Sequence, residues 1–121
     1  MSRLRGMGAA QEQFKTGNCG TGYADLEGLL HPETVVPRIS PSAGSFLSPE
    51  YGQAEQGGYR FELKVEDPLL PVEGCPTRSF RRYQYLAIPT GGRGPSFLLG
   101  SDGFIRHADD RPATLDDPPL P

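Results

Sequence analysis

Few side chains in this chain have the type and spacing that catalysis needs. His31 follows two leucines at a predicted helix end, where a cation favours the helix dipole. His107 stands beside Asp109 and Asp110, a setting for a metal or for acid–base chemistry, although a solvated strand end is favoured. The sequence contains no GxSxG stretch, and no serine has the surroundings of a nucleophile. The residues therefore predict that the protein is not an enzyme.

Carboxylates are the remaining candidates for binding an ion. Asp102, Asp109 and Asp110 could supply oxygen ligands to calcium, but their spacing matches no EF-hand loop. Acidic tails are usually solvated, and that interpretation is favoured here. The sequence predicts no cofactor and no other metal.

Two further stretches look like anion-binding sites on first inspection. The glycine-rich residues 17–22 lack the Lys-Ser/Thr pair of a P-loop and follow a predicted helix instead of a strand, so they predict a helix cap and turn. Arg78, Arg81 and Arg82 form a short basic cluster, for which a solvated strand edge is favoured over a phosphate site. The pI of about 5.3 argues against general nucleic-acid binding.

The two cysteines, Cys19 and Cys75, are far apart in sequence and have no nearby histidine pair, which does not fit a zinc site. A disulfide between them would close a long loop and contribute about 4 kcal/mol to the stability of a small domain. Such a bond would place the protein outside the cytosol. The alternative is two unrelated thiols.

Composition limits the fold that can position these groups. The chain has 121 residues, 16 of them Gly and 13 Pro, with a net charge of −3. This glycine and proline content excludes a coiled coil or a long helical bundle and predicts one small, loop-rich domain, residues 1–121, with a thin core. No run of about 18 apolar residues occurs, so no membrane-spanning helix is predicted within the chain.

Apolar spacing predicts a helix over residues 1–17. The spacing of three and four residues is set by Leu4, Met7, Ala10 and Phe14. Residues 18–57 are predicted to be a loop region that carries a second, short helix at 23–30, with Thr21 as a possible cap.

Strand signals fill residues 58–107. Residues 59–66 alternate between apolar and charged side chains, which predicts a strand with one buried and one solvated face. Further strands are predicted at 80–88, 96–99 and 104–107, the last two flanking an Asp-Gly turn. The fold class expected is α+β, an N-terminal helix packed on a three- or four-stranded antiparallel meander with long Pro/Gly-rich loops. Residues 108–121 are expected to trail over the surface as a tail.

Four stretches together carry a resemblance to a known family. They are Ala-Ala-Gln-Glu-Gln-Phe at 9–14, Gly-Tyr-Ala-Asp-Leu-Glu-Gly-Leu at 22–29, Gly-Gly-Tyr-Arg-Phe at 57–61, and Ser-Phe-Leu-Leu at 96–99 through Asp-Gly-Phe-Ile-Arg at 102–106. In order and spacing they resemble the spine helix, the following Gly-Tyr segment, a strand start and the terminal hairpin of type IV pilins and type II secretion pseudopilins.

The resemblance implies a pilin-like domain and a structural subunit of a bacterial extracellular or periplasm-spanning filament. Its partners would be other pilin subunits, contacted through the N-terminal helix, and the inner-membrane assembly machinery in the full-length form. The precursor would lie in the inner membrane with its globular part periplasmic, and the filament at the cell surface. Family members begin with a cleaved leader, a mature Phe, a Glu and some 20 apolar residues, none of which is present here. Either the chain is a soluble truncation or only its globular part resembles the family.

A second class of protein fits the same residues. A secreted, disulfide-stapled binding or inhibitor module would use the proline-rich loop and the solvated face of the first long strand, Arg60, Glu62 and Lys64, to contact a ligand. This alternative also involves no catalysis.

Overall fold

A computed structural model describes residues 2–17, 22–31, 47–70 and 79–120. The helices in these ranges are α1 (Ser2–Gly17) and α2 (Leu26–Leu30), with a 3₁₀ turn at Pro49–Gly52. The strands are β1 (Glu55–Gln56), β2 (Tyr59–Leu69), β3 (Ser79–Pro89), β4 (Pro95–Gly100) and β5 (Ile105–Asp109).

The sheet is a five-stranded antiparallel meander in the order β1-β2-β3-β4-β5. The prediction of three or four strands was therefore wrong. The missed strand is β1, where Glu55 pairs with Arg60 and Gln56 with Tyr59 across the two glycines of a tight turn. Two polar residues carry no strand signal of their own, so only their pairing with β2 identifies them. The helix and the meander still make the fold roughly α+β.

Helix α1 forms where the apolar spacing predicted it and packs across β3 and β4. Leu4, Met7, Ala10 and Phe14 are each at most 2 % exposed. Burying a large apolar side chain contributes about 1.5–3 kcal/mol. This row of contacts is what stabilises a helix that contains Gly6 and Gly8 in its first half.

After α1 the chain pairs with the start of β3 at a single residue and then forms a very short helix. Tyr23 forms a single antiparallel bridge to Phe80 of β3, and its ring packs edge-on against Tyr83. Helix α2 starts only at Leu26, because the Asp25 carboxylate accepts a hydrogen bond from the Gly28 N–H at 2.9 Å and caps the helix. The prediction of a helix over 23–30 was thus wrong for its first three residues. The proposed cap, Thr21, lies outside the described residues.

The two faces of the sheet are covered by different elements. Toward α1 the sheet presents the tyrosines of β3, apolar residues of β2 and Leu99, which form one cluster with the helix. On the opposite face Leu86, Leu98 and Ala108 form a second cluster that is closed by Ala113, a residue of the tail. Ala113 is only 2 % exposed. The tail therefore packs on this face of the sheet at Ala113, while most of its other residues are exposed, as expected for a segment that runs over the surface.

Polar contacts fix the tail to the sheet. Ser96 donates a hydrogen bond to the carbonyl oxygen of Arg111, and the Leu120 N–H donates to the Ile105 carbonyl at 2.7 Å. Between these points Asp117 forms an ion pair with Arg111 and accepts the Thr114 N–H at 2.7 Å. One small buried side chain and these polar contacts thus hold the segment in place.

Gly22 offers a direct test of how the segment after α1 packs against the start of β3. Its φ is +74°, and a Cβ built there would lie 2.6 Å from Cβ of Ser79. We expect Gly22→Ala to lower the free energy of unfolding by about 2 kcal/mol or more, because both backbone strain and overlap oppose it. Urea denaturation measures the change. Gly91→Ala, at an exposed turn with no atom within 4 Å of a built Cβ, is the control and should change it by less than about 0.5 kcal/mol. Equal stability of the two variants would contradict this packing.

The tail should loosen in acid. Hydrogen bonds from Arg111 and Thr114 hold the pKa of Asp117 well below its ordinary range. A carboxyl whose pKa falls on folding stabilises the fold above its unfolded pKa of about 4, and this contribution is lost as the pH falls further. We therefore expect the Thr114 amide NMR signal to shift toward a disordered position only below about pH 4.

Two variants check the assignment of this acid transition. Asp117→Asn should loosen the tail already at pH 7 and lose the acid step, whereas Asp116→Asn, at an exposed neighbour, should retain it. An acid step that survives in Asp117→Asn would show that another group controls the tail.

Candidate functional site

The residues singled out for chemistry are dispersed over the molecule. His31 is exposed at the end of α2. His107 lies on β5 opposite Phe97, half-buried, and its Nδ1 has no hydrogen-bond partner among the described residues. Within the described ranges no group of three or more His, Cys, Asp or Glu side chains could hold a metal ion.

The three aspartates considered for calcium do not come together. Asp102 lies in the β4–β5 turn, where it pairs with Arg106 at 2.8 Å and accepts the Phe104 N–H, and these bonds lower its pKa. Asp109 and Asp110 lie at the other end of β5, and the Asp110 carboxylate accepts the Gly94 N–H at 2.7 Å. These contacts give Asp102 and Asp110 roles in holding the ends of the β4–β5 hairpin.

Other predicted features fall partly outside the described residues. Cys19 and Cys75, most of the glycine-rich stretch 17–22, and Arg78 of the basic cluster are among these. Of the rest of that cluster, Arg81 is exposed and Arg82 forms ion pairs with Asp67 and Glu66. The charge of Arg82 is thus balanced by carboxylates of β2.

The densest set of specific contacts surrounds Arg3, on the first turn of α1. Its side chain is only 8 % exposed. Nε donates to the Tyr85 hydroxyl at 2.8 Å, Nη1 to Oε1 of Gln56 at 2.9 Å, and Nη2 to the Gln53 carbonyl at 2.6 Å and the Tyr51 carbonyl at 3.3 Å. Neutral acceptors from three separate segments therefore satisfy one buried cation.

Aromatic rings complete the surroundings of this cation. The guanidinium carbon lies 4.1 Å from the centre of the Phe61 ring and 5.1 Å from that of Tyr51, within reach of a cation–π interaction. Burial raises the pKa of Tyr85, although the hydrogen bond from Arg3 opposes the rise. Tyr85 is therefore a neutral phenol that accepts from the cation. Gly6 leaves room for the Tyr51 ring, since a Cβ at this position would collide with the Tyr51 hydroxyl.

Gln11 fixes the other half of the helix. Its side chain is fully buried and forms two hydrogen bonds with Ala24, from the Ala24 N–H at 2.9 Å and to the Ala24 carbonyl at 2.8 Å. Through Ala24 and the neighbouring Tyr23 bridge, the helix is tied to the edge of β3. Arg3 and Gln11 together fix both the position of α1 along the sheet and its rotation.

The opposite face of α1 is exposed. Its exposed residues include Arg5, Ala9, Glu12, Gln13 and Thr16. A shallow groove of about 290 Å³ runs beside this face, between Arg5, Gly8, Ala9 and Glu12 of the helix and Tyr83, Leu99, Gly103 and Ile105. The arrangement presents a rigid helix surface with small residues between two opposite charges.

The sequence pattern gave no role to Arg3 or Gln11, because the helix was predicted from the spacing of its apolar residues alone. The available signal was their helical spacing: Arg3 lies four residues before Met7, and Gln11 lies between Ala10 and Phe14 on the apolar stripe. A polar residue at a core position predicts a buried polar contact.

Comparison of the chain with protein-family models, with curated proteins and with solved structures finds no match. Within the described part of the chain, no helix has the length and apolar character needed to cross a membrane. The function is therefore inferred from the geometry of α1 and the sheet.

Arg3→Lys tests whether the planar guanidinium is needed. An ammonium group cannot reproduce the forked donor geometry, so Gln56, Tyr85 or the backbone carbonyls would lose a partner. We expect the free energy of unfolding to fall by about 1.5–3 kcal/mol, measured by urea denaturation. Arg5→Lys, at the exposed arginine of the same helix, is the matched control and should cost less than about 0.5 kcal/mol. If both changes cost the same, the contacts of Arg3 do not stabilise the fold.

Proposed function

We propose that this protein is a structural subunit of a bacterial filament of the type IV pilin or type II secretion pseudopilin kind. In this proposal α1 is the element through which subunits associate, and the sheet is the globular part carried at the filament surface. The protein has no catalytic activity.

The observation that carries the proposal is the difference in burial between the two faces of α1. One face is buried on the sheet and fixed by Arg3 and Gln11, whereas the other is exposed along the helix. A helix anchored in this way cannot rotate to hide its exposed face. Such a surface suits a subunit whose neighbours must all meet it in one orientation.

The dispersal of the polar groups supports a structural role. Asp102, Asp110 and Asp117 each form hydrogen bonds that hold turns or the tail. These contacts use the carboxylates for local structure and do not gather them around one cleft. The sequence resemblance, which spans residues 3–107, supplies the class of filament.

The proposal requires an apolar helical segment upstream of α1 in the precursor, anchored first in the inner membrane and then in the filament core. Its partners are other subunits of the same kind and the inner-membrane assembly machinery, and its final location is the cell surface or the periplasm-spanning filament. The four ordered stretches, which together span about residues 3–107, support this assignment, because family members carry them after such a segment.

Reading the genomic sequence upstream of Ser2 tests the proposal. We expect a short leader, a Glu near the mature start and about 20 apolar residues in frame with α1. A cleavable signal peptide joined directly to the chain would contradict it and would favour a secreted binding module. As a second measurement, antibodies to the chain should label filaments sheared from the producing cells, and deletion of the gene should remove that label.

A further inference from the structure

The tail after β5 is attached to the sheet at three separated points. Ser96 donates a hydrogen bond to the Arg111 carbonyl, Ala113 packs in one cluster with Leu98, and the Leu120 N–H donates to a carbonyl of β5. Among the described residues of the tail only Ala113 is buried. The tail therefore leaves the sheet by losing few contacts, all of them with the sheet surface.

A second set of contacts lies within the tail itself. Asp117 forms an ion pair with Arg111 and accepts the Thr114 N–H at 2.7 Å, while its own N–H donates to the Thr114 carbonyl at 3.1 Å. None of these bonds involves the sheet. The tail can thus keep its local fold wherever it docks, and it moves as one unit.

The hinge between β5 and the tail is a single residue, Asp110. Its φ is 57°, a left-handed conformation that is less favourable than extended backbone for a residue with a side chain. Two hydrogen bonds hold it there: its N–H donates to the Gly94 carbonyl at 2.9 Å, and its carboxylate accepts the Gly94 N–H at 2.7 Å. The hinge is closed against its own backbone preference.

The residues after the hinge favour an open one. Arg111 precedes Pro112, and the ring of a proline disfavours helical backbone at the residue before it, so Arg111 prefers an extended conformation. If the bonds between Asp110 and Gly94 break, the chain can continue from β5 in the extended direction. The tail is then carried away from its own sheet.

We propose that the tail is an exchangeable arm, and that two copies of this chain form a closed dimer in which each tail docks on the sheet of the other copy. Ala113 of each copy then enters the apolar cluster of the other. Every contact between tail and sheet is made again between the copies, so the exchange changes only the hinge. A short hinge under strain favours such an exchange.

A second copy of the chain is the occupant that the docking surface fits. In the single molecule the Ser96 hydroxyl, the cluster around Leu98 and the outer edge of β5 are already matched by residues of the tail. Another copy carries this same set in the same order. The inference does not depend on the proposed filament function, because it concerns the sheet face opposite α1.

Substitutions at the hinge test the exchange. Each protein is concentrated to the millimolar range, warmed to just below its unfolding midpoint and cooled, and its dimer content is measured by size-exclusion chromatography with light scattering. We expect the wild type to form a dimer. Asp110→Val should raise the ratio of dimer to monomer roughly tenfold or more, because a β-branched residue is poorly tolerated at positive φ and cannot accept the Gly94 N–H.

Two matched variants serve as controls. Asp110→Asn tolerates the left-handed conformation and still accepts the Gly94 N–H, so its dimer content should stay within roughly twofold of the wild type. Asp109→Val makes the same substitution one residue earlier, at an exposed position of β5, and should also leave the dimer content unchanged. An equal rise in Asp109→Val and Asp110→Val, or no rise in either, would overturn the role of the hinge.

Isotope-filtered NMR shows whether a dimer is formed by exchanged tails. The wild-type dimer is prepared from an equal mixture of ¹³C-labelled and unlabelled chains. A nuclear Overhauser effect between the Ala113 methyl of one chain and the Leu98 methyls of the other is expected. If the wild type forms no dimer, or if this contact in the dimer is found only within one chain, the proposal is wrong.

Discussion

A buried guanidinium has to find an acceptor for its N–H groups, and that requirement organises one end of the molecule around Arg3. The acceptors come from Tyr85 of β3, from residues 51–53 and from Gln56 of β1. Leaving a buried charge without partners would cost several kcal/mol, so the three segments must assemble together around the helix. The contacts of Arg3 therefore fix together the position of α1, the placement of the 3₁₀ turn and the start of the sheet.

The two faces of the sheet are covered by different kinds of segment, a helix on one face and part of the tail on the other. Its helix side is aromatic, with Tyr85 stacked on Phe61 at a ring separation of 5.8 Å. Its other side uses small and aliphatic residues, Leu86, Leu98 and Ala108, which a thin segment of tail can cover. A helix needs a broad apolar surface, whereas a single extended segment needs only a narrow one, and the residue types on β3 and β4 match these two needs. The charged side chains of β2 are covered neither by α1 nor by the tail and remain exposed to solvent.

The sequence predicted well those elements whose apolar residues repeat at a regular interval. The alternation over residues 59–66 predicted β2, and the spacing of Leu4, Met7, Ala10 and Phe14 predicted α1, because both patterns follow from burial on one face. It did not predict β1 or the docking of Ala113, since a two-residue polar strand and a single alanine have no pattern. Of the candidate site, the exposed face of α1 followed from the helix, but the roles of Arg3 and Gln11 required the tertiary contacts. Gly6, whose residue type weakens a helix, is a packing position for Tyr51 that no sequence pattern indicates.

The outer edge of β2 has a consequence for how the chain avoids pairing with the sheet of another molecule. Beyond its short pairing with β1, β2 has no neighbouring strand on this side among the described residues. Its exposed side chains there alternate Glu62, Lys64 and Glu66, and Asp67 takes a left-handed backbone conformation, with φ of 57°, just before Pro68. Charge, an irregular backbone and a proline each discourage another strand from adding to an open edge. In the proposed filament subunit, which would associate through α1, this edge therefore disfavours a competing association through the backbone of the sheet.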